Sequence, residues 1–214
     1  MISAVVLAAG AATRFGSPKQ AVLLEPVLER VRASAAIDDV VVVLGAHDVM
    51  ASERVVHCPD WERGPGASLR CGLAALGDEV GAAVVVLGDG PRLDSRAIDR
   101  VVSVWREKGA DRVAATYGGV RLHPLLLART VWNEVPDAGL RALPAQLVAC
   151  DDLDPPGDVD YADDLNRCFF VHNEEQPLTD RVIVAEHCVR QRFADHHHIR
   201  TLSDFLFGKL AATF

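Results

Sequence analysis

The hydrophobic pattern of the chain alternates between short apolar runs and longer amphipathic stretches. Residues 2–9 form an apolar run closed by Gly10, the pattern of a strand buried on both faces. A Gly/Ala/Ser/Pro stretch follows, and residues 19–36 then place Val22, Leu23, Val27, Leu28 and Val31 at helical spacing. Pro26 must stand near the start of that helix or kink it. Residues 40–44 and 82–87 read as further buried strands and 54–57 as a short one. Residues 67–76 and 94–108 read as helices, and 113–117 as a strand. Buried strands joined through helices need crossover connections, which predicts a mainly parallel sheet sandwiched by helices. After Gly118-Gly119, a hairpin signal, the apolar pieces shorten between Pro124, Pro136, Pro144, Pro155 and Pro156. This stretch reads as a substrate-facing excursion rather than another regular α/β unit.

Composition narrows the function classes. The 214 residues suit one domain, or one domain with an appendage, and 50% hydrophobic with 24% charged residues is the balance of a globular protein. The 22 Lys and Arg stand against 30 Asp and Glu, a net charge of -8 that argues against a nucleic-acid partner. A small anionic ligand stays open, since backbone N–H groups and a few local cations can hold one. The five cysteines are widely spaced without a Cys-x-x-Cys pair, so neither a disulfide framework nor a structural zinc site is expected. The apolar N-terminal stretch is too short to span a bilayer and lacks a basic region before it. The expectation is a reduced, cytoplasmic protein with no membrane partner.

In parallel sheets, ligands bind outside the carboxyl ends of the strands. Three loops fall there, after residue 9, after residue 87 and before residue 67. The first reads Leu7-Ala8-Ala9-Gly10-Ala11-Ala12-Thr13-Arg14-Phe15-Gly16-Ser17-Pro18-Lys19. Its small residues permit close backbone approach, and Arg14 and Lys19 add two cations. It is neither a Walker A loop nor a Gly-x-Gly-x-x-Gly fingerprint, which disfavours a P-loop kinase or a dinucleotide-binding enzyme.

The spacing Leu-Ala-Ala-Gly, Arg14, Gly16, Lys19 after an N-terminal strand resembles the signature of the MobA-like nucleotidyltransferases, with a GT-A-type Rossmann-like fold. Within them it is most similar to the molybdenum cofactor cytidylyltransferase branch. Later segments agree in order: Gly64 to Leu73 with Ser68-Leu69-Arg70, Gly88-Asp89-Gly90-Pro91, Tyr117 to Pro124 with His123-Pro124, Asp137-Ala138-Gly139-Leu140-Arg141, and Asp158 to Leu165. The resemblance covers residues 1–165 as the transferase domain and leaves 166–214 as a C-terminal extension without a counterpart. It implies that Leu7, Ala8, Ala9 and Gly10 cradle a nucleoside triphosphate, with Arg14 and Lys19 on its phosphates. Gly66 and Ser68 would approach base and ribose. Asp89 would hold Mg²⁺, with Asp160 or Asp158 as a second acidic ligand, and His123 would line the acceptor side. Three departures accompany this: a shorter loop after Lys19, Leu122 in place of the usual glycine, and Tyr161-Ala162 in place of Thr-Pro.

The implied chemistry is transfer of CMP from CTP to a phosphorylated pterin-type acceptor such as molybdopterin, with a molybdoenzyme receiving the product. Two anions must react, so charge neutralisation and alignment matter more than a covalent nucleophile, and a metal with two cations supplies both. The same chemistry with GTP, or a non-catalytic nucleotide or cofactor carrier, are the alternatives. At the level of single residues, Asp89 also reads as a turn former, Ser68 as a helix cap, and His123 as a packed loop histidine. His196-His197-His198 reads as a metal site only weakly, because three adjacent side chains do not converge on one ion.

Overall fold

A computed structural model describes residues 1–13 and 18–158. Arg14, Asp160, the histidine run at 196–198 and the whole extension at 166–214 lie outside the described residues. So do the strand expected at 168–172 and the helical patterns expected at 180–194 and 202–210.

Seven strands form one sheet: β1 (Ile2–Ala8), β2 (Asp39–Leu44), β3 (Arg54–His57), β4 (Ala82–Leu87), β5 (Arg112–Tyr117), β6 (Val120–Ala128) and β7 (Gln146–Ala149). Their spatial order is β3-β2-β1-β4-β6-β5-β7, and all pair in parallel except β6, which runs antiparallel to both neighbours. β1 is central because all but one of its side chains are buried, as its apolar sequence requires. Among the described residues three helices cover the sheet: α1 (Gln20–Arg32), α2 (Pro65–Ala74) and α3 (Ser95–Lys108). Ala4, Val6 and Ala8 of β1 pack on one face with Leu24 and Leu28 of α1 and Ile98 and Val101 of α3. Val5 faces the other way, packing with Leu69 and Leu73 of α2. The expected mainly parallel sheet between helices is therefore present.

The helix ends follow local chemistry. Asp94 caps α3 by accepting from the Arg96 backbone N–H at 2.9 Å, and Gly109 closes it in the left-handed region at φ 62°. Pro26 stands inside α1 rather than at its start. The N-cap of α2 is Gly64, so Ser68 is a buried residue within the helix and not its cap. The expected excursion after Gly118-Gly119 returns to the sheet as β6, a nine-residue strand between β4 and β5. Pro124 argues against an interior strand because it cannot donate to a ladder. A register shift between Ala114 and Thr116 of β5 accommodates it, since Leu122, His123 and Pro124 together lie opposite that break.

Cys58 and Cys71 form a disulfide with Cα atoms 5.7 Å apart, which corrects the expectation of no disulfide. Their spacing of 13 residues carries no motif, yet the crossover from β3 lays α2 back beside the strand end that carries Cys58. Among the described residues, no helix is long and apolar enough to cross a membrane.

Candidate active site

The chain leaves β1 through α1 to β2 on one side, and later returns through α2 to β4 on the other. In open α/β sheets such a reversal marks the ligand-binding crevice at the carboxyl ends of the strands it separates, here β1 and β4. The loops after β1 and β4 both border it.

The structure brings Lys19 and Asp89 together there. Lys19, one residue before α1, lies 2.9 Å from Asp89 Oδ2 in the turn after β4. The segment at 156–158 crosses the same turn, with the Arg92 N–H donating to the Pro156 carbonyl at 3.0 Å. It places Asp158 Oδ1 3.9 Å from the Lys19 ammonium. One cation thus faces two carboxylates from distant parts of the chain.

His123 approaches from β6. Because Val85 is paired with Leu125 in the antiparallel ladder, His123 stands near the carboxyl end of β4. A Cβ added to Gly90 would lie 2.7 Å from His123 Nε2, so glycine is needed to fit turn and ring together. The ring is buried, and among the described residues neither nitrogen has a hydrogen-bond partner. Burial pushes its pKa down to about 4, while the charge of Asp89 opposes that shift. The imidazole is neutral at pH 7.

The expected nucleotide loop is only partly exposed. Ala8 and Ala9 are buried, and the Leu7 carbonyl accepts from the Gly88 N–H at 2.9 Å. Gly10 differs, since a Cβ there would meet nothing within 4 Å among the described residues. Gly66 has a structural role of its own. Its N–H donates to the Asp137 carbonyl at 3.0 Å, and a Cβ there would collide with the Pro136 carbonyl. Arg63 and Arg70 both hold the Asp137 carboxylate, and Arg70 also donates to the Val135 carbonyl at 2.7 Å. These guanidinium groups keep the Asp137 pKa low. The loop at 135–137 thereby clasps the start of α2, which carries Gly66 and Ser68.

Sequence reasoning missed two side chains that bind this region together. Gln20 donates from Nε2 to the Gly10 carbonyl at 2.6 Å, and His47 Nε2 stands 2.8 Å from the Ala11 carbonyl. The signal for Gln20 was its position beside Lys19. For His47 it was its place just past the carboxyl end of β2, the edge where ligands bind.

Residues 4–149 match the MobA-like NTP transferase domain. The chain belongs to that family. Among curated proteins, the bifunctional protein GlmU of Cutibacterium acnes is 33% identical over 124 residues, covering 50% of this chain but 29% of GlmU. The chain therefore spans under a third of that relative. Rv0371c of Mycobacterium tuberculosis H37Rv has a similar structure, with TM-score 0.66 and 29% identity over 78% of this chain and 96% of that one. A second crystal structure of Rv0371c is a complex with manganese, with TM-score 0.62 and 26% identity over 78% of this chain and 97% of that one. Molybdopterin-guanine dinucleotide biosynthesis protein A of Archaeoglobus fulgidus shares the fold at 17% identity and TM-score 0.59, over 78% of this chain and 96% of that one.

A divalent ion suits the donor set of this MobA-like domain. Asp89 and Asp158 both face one ammonium at 2.9 and 3.9 Å, so the space between their oxygens accepts positive charge. Magnesium and manganese favour such hard oxygen donors and complete their shells with water. Among the described residues no cluster of three or more His, Cys, Asp or Glu forms.

Proposed function

We propose that this domain transfers CMP from CTP to a phosphorylated pterin-type acceptor, molybdopterin, releasing pyrophosphate. The observation that carries the reading is Lys19 beside Asp89 at the β1/β4 crevice, with Asp158 facing the same cation. The choice of CTP and of a pterin rests on the resemblance of the Ser68-Leu69-Arg70, Gly88-Asp89-Gly90-Pro91 and His123-Pro124 segments to the cytidylyltransferase branch.

In the reaction, an oxygen of the acceptor phosphate attacks the α-phosphorus of CTP, and the bond from that phosphorus to the bridging oxygen of pyrophosphate breaks. The acceptor is largely ionised near pH 7, so no strong base is required. Lys19 and Arg14 bind the β- and γ-phosphates and offset the charge that builds on the leaving pyrophosphate. The loop backbone at Ala8, Ala9 and Gly10 aligns the triphosphate, while Gly66 and Ser68 at the start of α2 position base and ribose. Asp89, with Asp158 or Asp160, would hold Mg²⁺, which when bound supplies further neutralisation of the phosphate oxygens. His123, neutral and without a partner among the described residues, offers a hydrogen bond rather than a charge on the acceptor side. A neutral donor there binds an anionic acceptor without competing with Lys19 or a metal ion for the Asp89 carboxylate.

The test is pyrophosphate release from each of CTP, GTP, ATP and UTP, with Mg²⁺ and purified molybdopterin and with controls lacking acceptor. Acceptor-dependent release from CTP is expected. Release from GTP instead would reassign the base. Binding of a nucleotide without release from any of them would reject the molybdopterin assignment and favour a carrier.

A further inference from the structure

The loop after β1 is held on one side by three consecutive carbonyls. The Ala9 carbonyl accepts from the Ala46 N–H at 3.0 Å. The Gly10 carbonyl accepts from Gln20 Nε2 at 2.6 Å, and the Ala11 carbonyl faces His47 Nε2 at 2.8 Å. A carbonyl oxygen can only accept, so His47 must carry its proton on Nε2 here. The three anchors come from the start of α1 and from the segment just past β2, elements that meet only in the folded chain.

A trans peptide unit points its C=O and the following N–H in opposite directions. Fixing the carbonyls of Ala9, Gly10 and Ala11 against the protein therefore turns the N–H groups of Gly10, Ala11 and Ala12 away from it. Ala12 lies in the left-handed region at φ 51°, a conformation that curls successive N–H groups into an anion-binding concavity. A non-glycine residue adopts it at a cost and keeps it where the surroundings enforce it. Among the described residues, nothing lies within 4 Å of a Cβ added at Gly10.

Gln20 supplies a further indication. Its side chain is buried, and its amide oxygen has no partner among the described residues. Turning the amide over would set that oxygen against the Gly10 carbonyl, so the observed orientation is fixed by the loop. Burying an unpaired oxygen lowers stability, which a helix position chosen for packing alone would avoid.

We propose that Gln20 and His47 are positioning residues that hold the Gly10 and Ala11 carbonyls so that the loop presents its N–H groups to a polyphosphate. The inference rests on the nucleotidyl-transfer reading above and adds to it the device that sets the loop's polarity. Neither side chain need touch the ligand.

The test is calorimetric binding of inorganic tripolyphosphate, CTP and GTP, with Mg²⁺ present, to the whole protein and to His47→Ala, His47→Gln and Gln20→Glu. Gln20→Glu keeps the shape but sets an acceptor against the Gly10 carbonyl. His47→Gln keeps an N–H donor. Affinity for tripolyphosphate is expected to fall about tenfold or more in His47→Ala and Gln20→Glu and to recover largely in His47→Gln. His47 is only half-buried, so its variants report even if Gln20→Glu does not fold. Unchanged tripolyphosphate affinity in a folded His47→Ala protein would overturn the positioning role and leave the nucleotidyl-transfer reading standing. A wild-type protein that binds neither tripolyphosphate nor any of the nucleotides would overturn both.

Discussion

Lys19 and Asp89 are partly exposed, and their contact matters less as a stabilising ion pair than as a marker of where charge is tolerated. Asp89→Asn is expected to lower turnover by roughly a hundredfold or more with the fold intact, since several kcal/mol of charge stabilisation would be lost. Steady-state kinetics with a circular-dichroism check would decide it, and unchanged turnover would remove Asp89 from the mechanism. His123 makes a prediction of opposite character. Its folded pKa near 4 lies below the usual 6.5, so the unfolded chain takes up a proton that the folded protein refuses. Stability contributed by neutral His123 is therefore complete above about pH 6.5 and lost as pH falls towards 4. An NMR titration should find this imidazole still neutral at pH 5.5; an ordinary midpoint there would mean that the ring is not buried as described.

Among the elements, α2 is the one whose placement depends most on absent side chains. Gly72 brings it close to the sheet, and a Cβ there would lie 2.5 Å from Val5 Cγ1 and 2.7 Å from Val43 Cγ2. Alanine ordinarily strengthens a helix by about 1 kcal/mol over glycine. Here the overpacking should win, and Gly72→Ala is expected to destabilise the protein by about 1–3 kcal/mol in urea unfolding. A gain in stability would show that α2 does not sit so near β1 and β2. The Cys58–Cys71 disulfide ties the same helix to the chain after β3 across a separation of 13 residues. Cross-links over loops of that length contribute about 3 kcal/mol, chiefly by restricting the unfolded chain. Cys71→Ser, compared with the oxidised protein, should show most of that loss in denaturant unfolding, and equal midpoints would indicate that the bond does not form in solution.

At the scale of the molecule, a net charge of -8 means that an anionic ligand must be held by local groups rather than by a basic surface. The β1/β4 crevice supplies such a locality, because the sheet reversal gathers loops that lie about seventy residues apart between Lys19 and Asp89. Ligand that binds only the folded protein raises its melting temperature by mass action. Mg²⁺ together with CTP should therefore raise the melting temperature more than either alone. Equal shifts with CTP alone would separate nucleotide binding from the ion.

The alternation of buried runs and amphipathic stretches determined the elements as far as Tyr117, whereas β6 and β7 fall in the stretch that the pattern reads as an irregular excursion. Residues 54–57 and 82–87 emerge as strands with the same bounds, and α3 begins one residue later than its pattern suggests, because Asp94 serves as its cap. Asp89 and His123 were picked out by the family resemblance of their Gly-Asp-Gly-Pro and His-Pro segments, and Gly10 and Lys19 were legible in a turn of small residues that carries two cations. Their convergence was not. Lys19 meets Asp89 because β1 and β4 are neighbours, and His123 joins them because β6 runs backwards through a broken register at Pro124. Gln20 and His47 gave no composition signal; their importance lies in which carbonyls they meet, and the Cys58–Cys71 bond is of the same kind. Local periodicity reports which face of a segment is buried. Only tertiary structure decides which loops share an edge and which polar atoms face one another there, because those depend on strand order and register rather than on any one segment.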